Sequence, residues 1–352
     1  MTPKEAMRWL WKSKAPKAQR TRQFIKLIIL VALFIVLYWV VPFDQVIRAL
    51  ASADPLYLVV GMVLGFVSIF LTAVQIEPLT RNQGIKHSIG QILAINLVVK
   101  FYLQFTPGTL VGSGIRWYRL AQPGGKFVEA LVALAFFRVL ETFITLSMGL
   151  GFWLLSGEQT LEVSIGWLLI LILGIILAWV LITRYSLAIY AWFKSRAAAV
   201  LNRPHWELIT GRVEKFLTAV TAYANLPAFD LLLSISAGIG SALAGIASGV
   251  FLAQAVGIEL SFLDMGWIQA IVLFATQLPF TVAGGVGVRE VTLVAILPTL
   301  GVSAELALAL SLLMFLRSIL IGLCGGIIEA YGTLRRKSSS SIDPYHGDAQ
   351  ES

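Results

Sequence analysis

Seven ionisable side chains fall in stretches of sequence that are otherwise apolar enough to lie inside a membrane. Five are basic and two are acidic, so the carboxylates cannot neutralise all of the cations. A charged side chain at the centre of a bilayer costs about 2.5–3.5 kcal/mol on insertion scales, and each therefore needs a counter-charge, water or a ligand. The surplus of positive charge favours an anionic ligand. The seven residues are Lys100, Arg116, Arg138, Glu141, Arg289, Glu290 and Arg317.

Two of these arginines end segments that proline and glycine interrupt. The segments are QFTPGTLVGSGIR at 104–116 and QLPFTVAGGVGVRE at 277–290. Glycine permits positive φ and close backbone approach, and a helix that begins at such a break offers free N–H groups to an anion. Arginine can grip a phosphate with two parallel N–H bonds. The combination predicts a phosphate site that contains Arg116 and Arg289.

The acidic residues leave several pairings open. Arg138 and Glu141 lie three residues apart on one helix face, so either a structural ion pair or a functional role fits the spacing. Arg289 and Glu290 are adjacent and are expected to point in different directions on a helix, which leaves Arg289 to face the cavity. Neither acid is therefore assigned to Arg289.

Arg317 and Lys100 each have two interpretations. Arg317 is central in the last apolar stretch, where it either lines the site or pairs with one of the two acids. Lys100 either contributes to the site or extends its ammonium to the cytoplasmic headgroups. The small residues Gly325 and Gly326 nearby predict close helix packing rather than binding.

No catalytic constellation accompanies these charges. The sequence has no nucleophile elbow, P-loop or zinc-protease motif, and no acid cluster for metal-assisted phosphoryl transfer. Cys324 is the single cysteine, and the three histidines are scattered. We therefore expect no enzyme activity, no cofactor and no metal. The net charge of +8 is attributed to loops that face anionic lipid rather than to nucleic-acid binding.

The elements that position these residues are predicted to be membrane helices. Hydrophobic residues make up 58% of the chain and charged residues 13%, with a mean hydropathy of +0.83, which is typical of an all-α integral membrane protein. Six apolar stretches are long enough to cross a bilayer as full transmembrane helices. They are 24–42, 56–77, 128–154, 164–183, 229–254 and 305–331.

Charge in the connecting segments predicts the orientation. Basic residues concentrate in the N-terminus 1–23, in an interfacial linker at 184–226 and after the last span, whereas the loops between them are mainly acidic. By the positive-inside rule both termini are cytoplasmic, in a bacterial inner membrane. The first span is expected to remain as an anchor rather than to be cleaved. The polar tail 332–352 is predicted to be disordered.

Two further apolar segments, 90–115 and 265–299, begin and end beside loops of the same side. Each is predicted to be a re-entrant helical hairpin broken at its proline and glycine residues. The two breaks align, and two membrane repeats result, 24–154 and 164–331. Because each repeat has an odd number of spans, the hairpins have opposite orientations, which is an inverted-repeat architecture. The aligned pairs are Gly112 with Gly285, Gly114 with Gly287 and Arg116 with Arg289.

Over residues 24–331 the chain resembles the flippase-like family typified by the transmembrane domain of lysylphosphatidylglycerol synthetase. The resemblance is carried by FTPGTLVGSGIRWYRL at 105–120, FFRVLETF at 136–143, LPFTVAGGVGVREVTLVAIL at 278–297 and ALALSLLMFLRSILIGLCGGI at 307–327. The synthetase domain is not evident. Phe137 stands where the family commonly has an acid, so only Glu141 could serve Arg138. The resemblance marks as site residues Pro107, Gly108, Arg116, Arg138, Gly285, Gly287, Arg289, Glu290 and Arg317.

The resemblance implies movement of an anionic, phosphate-containing lipid between leaflets, either a phospholipid, an aminoacyl-phospholipid or a polyprenyl phosphate. The expected partner is therefore a membrane lipid, and a homo-oligomer or a separate lipid-modifying enzyme remains open. Two alternatives use the same residues differently. One is a secondary transporter of a small anion, and the other is a non-transporting membrane scaffold for a lipid-modifying enzyme.

Overall fold

The computed structural model describes residues 50–105, 109–156, 204–277 and 287–340, with isolated residues at 47–48 and between 166 and 192. Within these ranges every regular element is helical, and no strand occurs, which confirms the all-α prediction. The predicted span 24–42, the N-terminus 1–23 and the centres of both proline-glycine breaks lie outside the described residues. The span 164–183 and the start of the linker 184–226 are described only at isolated positions.

The helices fall into two series that follow each other along the chain. The first contains α1 (Pro55–Asn82), α2 (Ile89–Phe105), α3 (Thr109–Ala121) and α4 (Phe127–Ser156). The connecting helix α5 (Pro204–Thr221) comes next. The second series contains α6 (Ala228–Ala255), α7 (Phe262–Gln277), α8 (Val288–Ile296) and α9 (Ala304–Ser340). Short 3₁₀ turns follow α3, α5 and α8, at Gln122–Gly124, Ala222–Asn225 and Leu297–Leu300.

Three helices of the described chain are long and apolar enough to cross a membrane, namely α1, α6 and the segment Ala304–Tyr331 of α9. They correspond to three of the six predicted spans. The fourth long helix, α4, has 30 residues and covers the predicted span 128–154. Helix α9 continues to Ser340, nine residues into the segment predicted to be a disordered tail. After Gly332 and Thr333 the sequence continues with Leu334, Arg335, Arg336 and Lys337, which favour helix.

Large apolar side chains cover the outside of these helices. On α9 they recur every three or four residues, which puts them on one helix face. A soluble protein would bury such a face, and its exposure here is expected when lipid is the solvent. The exposed residues of this face are Leu316, Leu320, Leu323 and Ile327.

Helices α1 and α6 pack against each other in antiparallel fashion along their whole length. Each has 28 residues. In the middle of both, the Ser68 hydroxyl donates to the Ser241 carbonyl at 2.9 Å, and the Ser241 hydroxyl donates to the Ser68 carbonyl at 2.8 Å. The two serines are 173 residues apart. At this crossing, two positions separated by 173 residues in the sequence therefore contact each other directly.

The same offset of 173 relates the contacts on either side of the crossing. Ser248 donates to the Gly61 carbonyl at 2.6 Å, and Ser234 donates to the Gln75 carbonyl at 3.1 Å. Adding the offset to Gly61 gives Ser234, and adding it to Gln75 gives Ser248. The two contacts therefore join equivalent pairs of positions, although a serine of α6 is the donor in both.

The turns that follow α1 and α6 also match. Each contains a glycine of positive φ, 69° at Gly84 and 77° at Gly257, which only glycine adopts without strain. The next residue donates back into the preceding helix in both turns, from Ile85 to Thr80 and from Ile258 to Ala253, each at 3.0 Å. All of these pairs again differ by 173 residues.

The remaining helices pack across the two series. Helix α2 lies against α9, and α7 lies against α4. Small residues allow this close approach: a Cβ atom at Gly325 would fall 2.0 Å from the Leu97 carbonyl oxygen, and one at Gly149 would fall 2.4 Å from the Ala270 Cβ. Gly325 thus serves helix packing, as predicted. Two hydrophobic clusters result, one centred on Leu79, Ile92 and Leu120 and the other on Leu252, Met265 and Leu293.

Candidate functional site

A cavity of about 90 Å³ lies beside the crossing of α1 and α6. Glycine and serine from these helices form one wall, and α2 and α9 contribute a lysine and an arginine. Small residues leave the space open, and the two cations make it attractive to an anion. The lining residues are Gly65, Ser68, Ile69, Lys100, Gly245, Arg317, Ser318 and Ile321.

Arg317 reaches this cavity from α9 across the backbone of α1. A Cβ atom at Gly65 would lie 2.6 Å from the Arg317 Cδ, so the glycine leaves room for the arginine stem. The guanidinium donates to the Ser248 hydroxyl, which in turn donates to the Gly61 carbonyl. The structure thus places Arg317 at the cavity, and its hydrogen-bond partner is Ser248, which α6 brings within reach. Among the described residues no ion pair joins Arg317 to Glu141 or Glu290, the pairing that the sequence left as the alternative.

Lys100 lines the cavity and belongs to a polar face of α2. Asn96, Lys100 and Gln104 are spaced four residues apart and therefore lie on one side of the helix. Asn96 is 2% exposed, and neither its amide nitrogen nor its oxygen has a hydrogen-bond partner among the described residues; the same holds for the Gln104 oxygen. Buried polar atoms rarely lack partners, so this face is suited to water or a polar ligand.

Arg116 projects from α3 close to these groups. Its guanidinium carbon lies 5.7 Å from the centre of the Phe137 ring, and its Nε is buried without a hydrogen-bond partner in the described part of the chain. Arg116 and Arg317 both interact electrostatically with Lys100. Three cations from three helices therefore share one region, and the described residues supply no carboxylate that pairs directly with any of them.

Arg138 and Glu141 form the ion pair that their spacing predicted. The Arg138 Nη1 to Glu141 Oε2 distance is 2.7 Å, and the arginine side chain is 53% exposed. The pair also acts on the cation group, because Glu141 and Arg138 both interact electrostatically with Lys100 and Arg116. The pair is internally neutral, so the net surplus of positive charge at Lys100, Arg116 and Arg317 remains.

Arg289 was expected to face the cavity without pairing to Glu290, and this expectation is wrong. Its Nη2 lies 2.6 Å from Glu290 Oε1, and its Nε donates to the Ser311 hydroxyl at 3.0 Å. Ser311 donates to the same carboxylate oxygen, and the Gly287 amide donates to the other at 2.6 Å. Gly287 has a φ of 88° at the start of α8, and this turn lets Glu290 fold back and meet Arg289.

The glycines of the first break have different surroundings. A Cβ atom at Gly112 would lie 2.6 Å from the Leu103 side chain, so this glycine packs α3 against α2. Gly114 has open space where its Cβ would be. Pro107, Gly108 and Gly285 lie outside the described residues. Of the predicted glycine positions, Gly287 is the described one whose positive φ requires glycine.

Several residues of the site were not singled out from sequence. Gly65 and Ser248 come from distant parts of the chain and meet Arg317 only through helix packing. Asn96 and Gln104 carried a usable signal, since polar residues four and eight positions apart in an apolar helix predict a polar stripe. Within the described ranges, no group of three or more metal-ligating side chains occurs.

Comparison with known proteins gives one family. A family model described as "Lysylphosphatidylglycerol synthase TM region" matches residues 23–326. No curated protein and no solved structure matches the chain. The matched range contains every helix of both series except the end of α9.

Proposed function

The chain belongs to the lysylphosphatidylglycerol synthase TM region family, and from this premise we propose that it is a flippase for a lipid with an anionic, phosphate-containing headgroup. Membership makes it an integral membrane protein related to lipid handling. The single observation that carries the proposal is a group of three cations beside the helix crossing: Lys100 and Arg317 line the cavity, and Arg116 interacts electrostatically with Lys100.

A phosphate suits this site better than a neutral solute does. Buried cations are costly in a membrane interior unless a counter-charge or water accompanies them. A headgroup phosphate supplies that charge only while it passes, and the acyl chains stay in the surrounding lipid. The Asn96 amide group and the Gln104 oxygen, which have no partner among the described residues, can hydrogen-bond to a polar headgroup. The site thus stabilises the part of the lipid that would otherwise meet the highest barrier.

The proposed architecture is an inverted repeat with six spans and two re-entrant hairpins. The antiparallel crossing of α1 and α6 and the exchange of contacts at an offset of 173 support it. Helix α2 has 17 residues, about 25 Å at 1.5 Å per residue, which is shorter than a hydrocarbon core of about 30 Å. Alternating access follows when one series rocks against the other around the cavity.

Charges at equivalent turns support an orientation. Lys86 follows α1, and the residue at the same offset after α6 is Glu259. In an inverted repeat these two turns lie on opposite sides of the membrane, and the positive-inside rule then makes the Lys86 side cytoplasmic. Lys126, in the turn before α4, lies near Lys86. We call this end of the molecule, with Lys86 and Lys126, the basic end.

The proposal is tested by flipping in proteoliposomes. Purified protein is reconstituted with fluorescently labelled phosphatidylglycerol. Dithionite bleaches the label in the outer leaflet, so the bleached fraction measures transfer of the labelled lipid between leaflets. Wild type is expected to flip the lipid. Arg317→Gln, Lys100→Gln and Arg116→Gln are each expected to slow it at least about tenfold, because each removes one charge-assisted contact to the phosphate.

Lys215→Gln is the matched control. It removes one positive charge from an exposed side chain that pairs with Glu129 at 3.4 Å, away from the cavity, and should flip lipid like wild type. Equal flipping by wild type and all three site variants would contradict the proposal. Uptake of radioactive inorganic phosphate without lipid flipping would instead identify a transporter of a small anion.

A further inference from the structure

An ion pair at the basic end connects the two series. Arg119, near the end of α3, donates from its Nη2 to Glu329 on α9. The Tyr102 hydroxyl of α2 donates to the other oxygen of the same carboxylate at 3.4 Å. One carboxylate thus ties together three helices, α2, α3 and α9. The two ionised side chains are 31% and 26% exposed.

Arg119 continues the row of cations that leads to the cavity. It lies three residues after Arg116, so the two guanidinium groups project from neighbouring positions on one side of α3. Arg119 is about 4.5 Å farther along the helix at 1.5 Å per residue. An anion that enters from the basic end would therefore meet Arg119 first and Arg116 next.

The positions equivalent to this connection in the other helix series carry different residue types. The residues at the offset of 173 from Arg119, Tyr102 and Glu329 are Thr292, Ala275 and Ser156, none of which is ionisable. The opposite end therefore cannot form an equivalent ion pair. The feature belongs to one entrance and is not a general packing device that both halves share.

We propose that Arg119 and Tyr102 form an outer site for the phosphate of the lipid headgroup, and that the Glu329 carboxylate occupies this site as a tethered anion until a headgroup displaces it. This inference rests on the proposed function and specifies the first binding step. A carboxylate and a phosphate diester each present two oxygens to an arginine in the same fork-like geometry. Partly exposed ion pairs stabilise little, so a second anion can compete.

Displacement would also loosen the bundle at this end. Glu329 is twelve residues after Arg317 on the same helix, so release of its carboxylate frees the part of α9 that carries the cavity arginine. Arrival of a substrate headgroup would then open the path to the cavity. With no headgroup at the entrance, the same carboxylate would keep it closed and keep other anions out.

The test measures binding of soluble dihexanoyl-phosphatidylglycerol to the full-length protein in detergent, followed by tryptophan fluorescence. Glu329→Gln removes the competing charge and nearly preserves the side-chain shape. It is expected to tighten binding about twofold to fivefold, the factor that corresponds to a partly exposed ion pair. Glu259→Gln makes the same change in an exposed turn at the other end and should bind like wild type.

The double variant Glu329→Gln/Arg119→Gln separates competition from loosening of α9. Competition for Arg119 predicts that the gain disappears in the double variant, whereas loosening predicts that it persists, and persistence would overturn the proposal. Unchanged affinity in Glu329→Gln, with clear binding by wild type, would also overturn it but leave the flippase function intact. Absence of binding by every variant would contradict the proposed function itself. Tightening for inorganic phosphate alone would contradict a lipid ligand.

Discussion

Ser68 and Ser241 each donate a hydrogen bond to the backbone carbonyl of the other, at 2.9 and 2.8 Å. A further contact of 2.9 Å joins the Thr72 hydroxyl to the Ser241 hydroxyl. These bonds lie where α1 and α6 cross, next to the cavity. The position of this crossing therefore sets the distance between the cavity walls.

We first predict that the serine pair contributes to stability as a unit. Ser68→Ala or Ser241→Ala should each lower the free energy of unfolding by about 0.5–1.5 kcal/mol, since each loses an interhelical hydrogen bond. The loss in the double variant should be smaller than the sum, because the two residues share one contact. Unfolding in mixed micelles measures this. Ser236→Ala is the control, because its hydroxyl bonds within its own helix to Leu233.

The second prediction concerns the contact of α9 with α2. Gly325→Ala places a methyl group 2.0 Å from the Leu97 carbonyl oxygen, and backbone atoms cannot move aside as a flexible side chain can. The variant should lose at least about 2 kcal/mol of stability through overpacking. Gly151→Ala adds the same methyl group to α4 where nothing lies within 4 Å. Equal melting temperatures for the two variants would show that α2 and α9 do not approach this closely.

Third, Arg289 and Glu290 should behave as a buried structural pair. Glu290→Gln leaves the 9% exposed Arg289 without its counter-charge, and loss of one partner of a buried pair costs about 3–5 kcal/mol. The expected result is a low yield of folded protein and early unfolding. The measurement is size-exclusion chromatography with a thermal melt. A variant that folds as stably as wild type would show that Arg289 does not need Glu290 as its counter-charge.

Fourth, the exposed ion pair of Arg138 with Glu141 should contribute little to the free energy of unfolding. Arg138→Gln removes a partner from an ion pair whose arginine is 53% exposed, and exposed pairs are worth about 0–1 kcal/mol. Its melting temperature should stay close to that of wild type, in contrast to Glu290→Gln. A large loss of stability would mean that lipid or another subunit buries Arg138.

The fifth prediction separates the position of Arg317 from its charge. Gly65→Ala pushes a methyl group against the Arg317 Cδ and should move the guanidinium away from Ser248 while the charge remains. We expect flipping to fall severalfold with a modest loss of stability. Gly90→Ala, which meets open space at the start of α2, is the control. Normal flipping by Gly65→Ala would mean that the cavity tolerates another position of Arg317.

Local sequence pattern was sufficient for some of these features. The match of Gly114 and Arg116 with Gly287 and Arg289 already gave the offset of 173, at which the crossing serines Ser68 and Ser241 also meet. Spacing alone allowed an ion pair of Arg138 and Glu141, with a functional role left as the alternative, because residues three positions apart on a helix are neighbours. These features depend on contacts within one helix or on repetition, both of which a single sequence records.

Other features depended on approach between distant segments. The partner of Arg317 is Ser248, 69 residues away. The glycine that leaves room for the Arg317 side chain, Gly65, lies even farther from it in the sequence. The pairing of Arg289 with Glu290 was mispredicted because adjacent residues diverge on a regular helix, whereas the φ of 88° at Gly287 starts α8 with Glu290 turned back. Neither outcome follows from periodicity, since one needs a tertiary contact and the other a specific turn.

The mutual contact of Ser68 and Ser241 is one that two separate, identical chains could make. A half-length chain with one such serine, inserted in both orientations, would form an antiparallel homodimer through the same crossing. Such a dimer would have identical turns on both sides and could not hold a fixed orientation. When the two halves are joined in one chain, equivalent positions can carry different residues. Position 86 is a lysine and position 259 a glutamate, and the ion pair of Arg119 with Glu329 has no counterpart at the equivalent positions. Directionality would then depend on the two halves being joined in one chain, where their turns can differ.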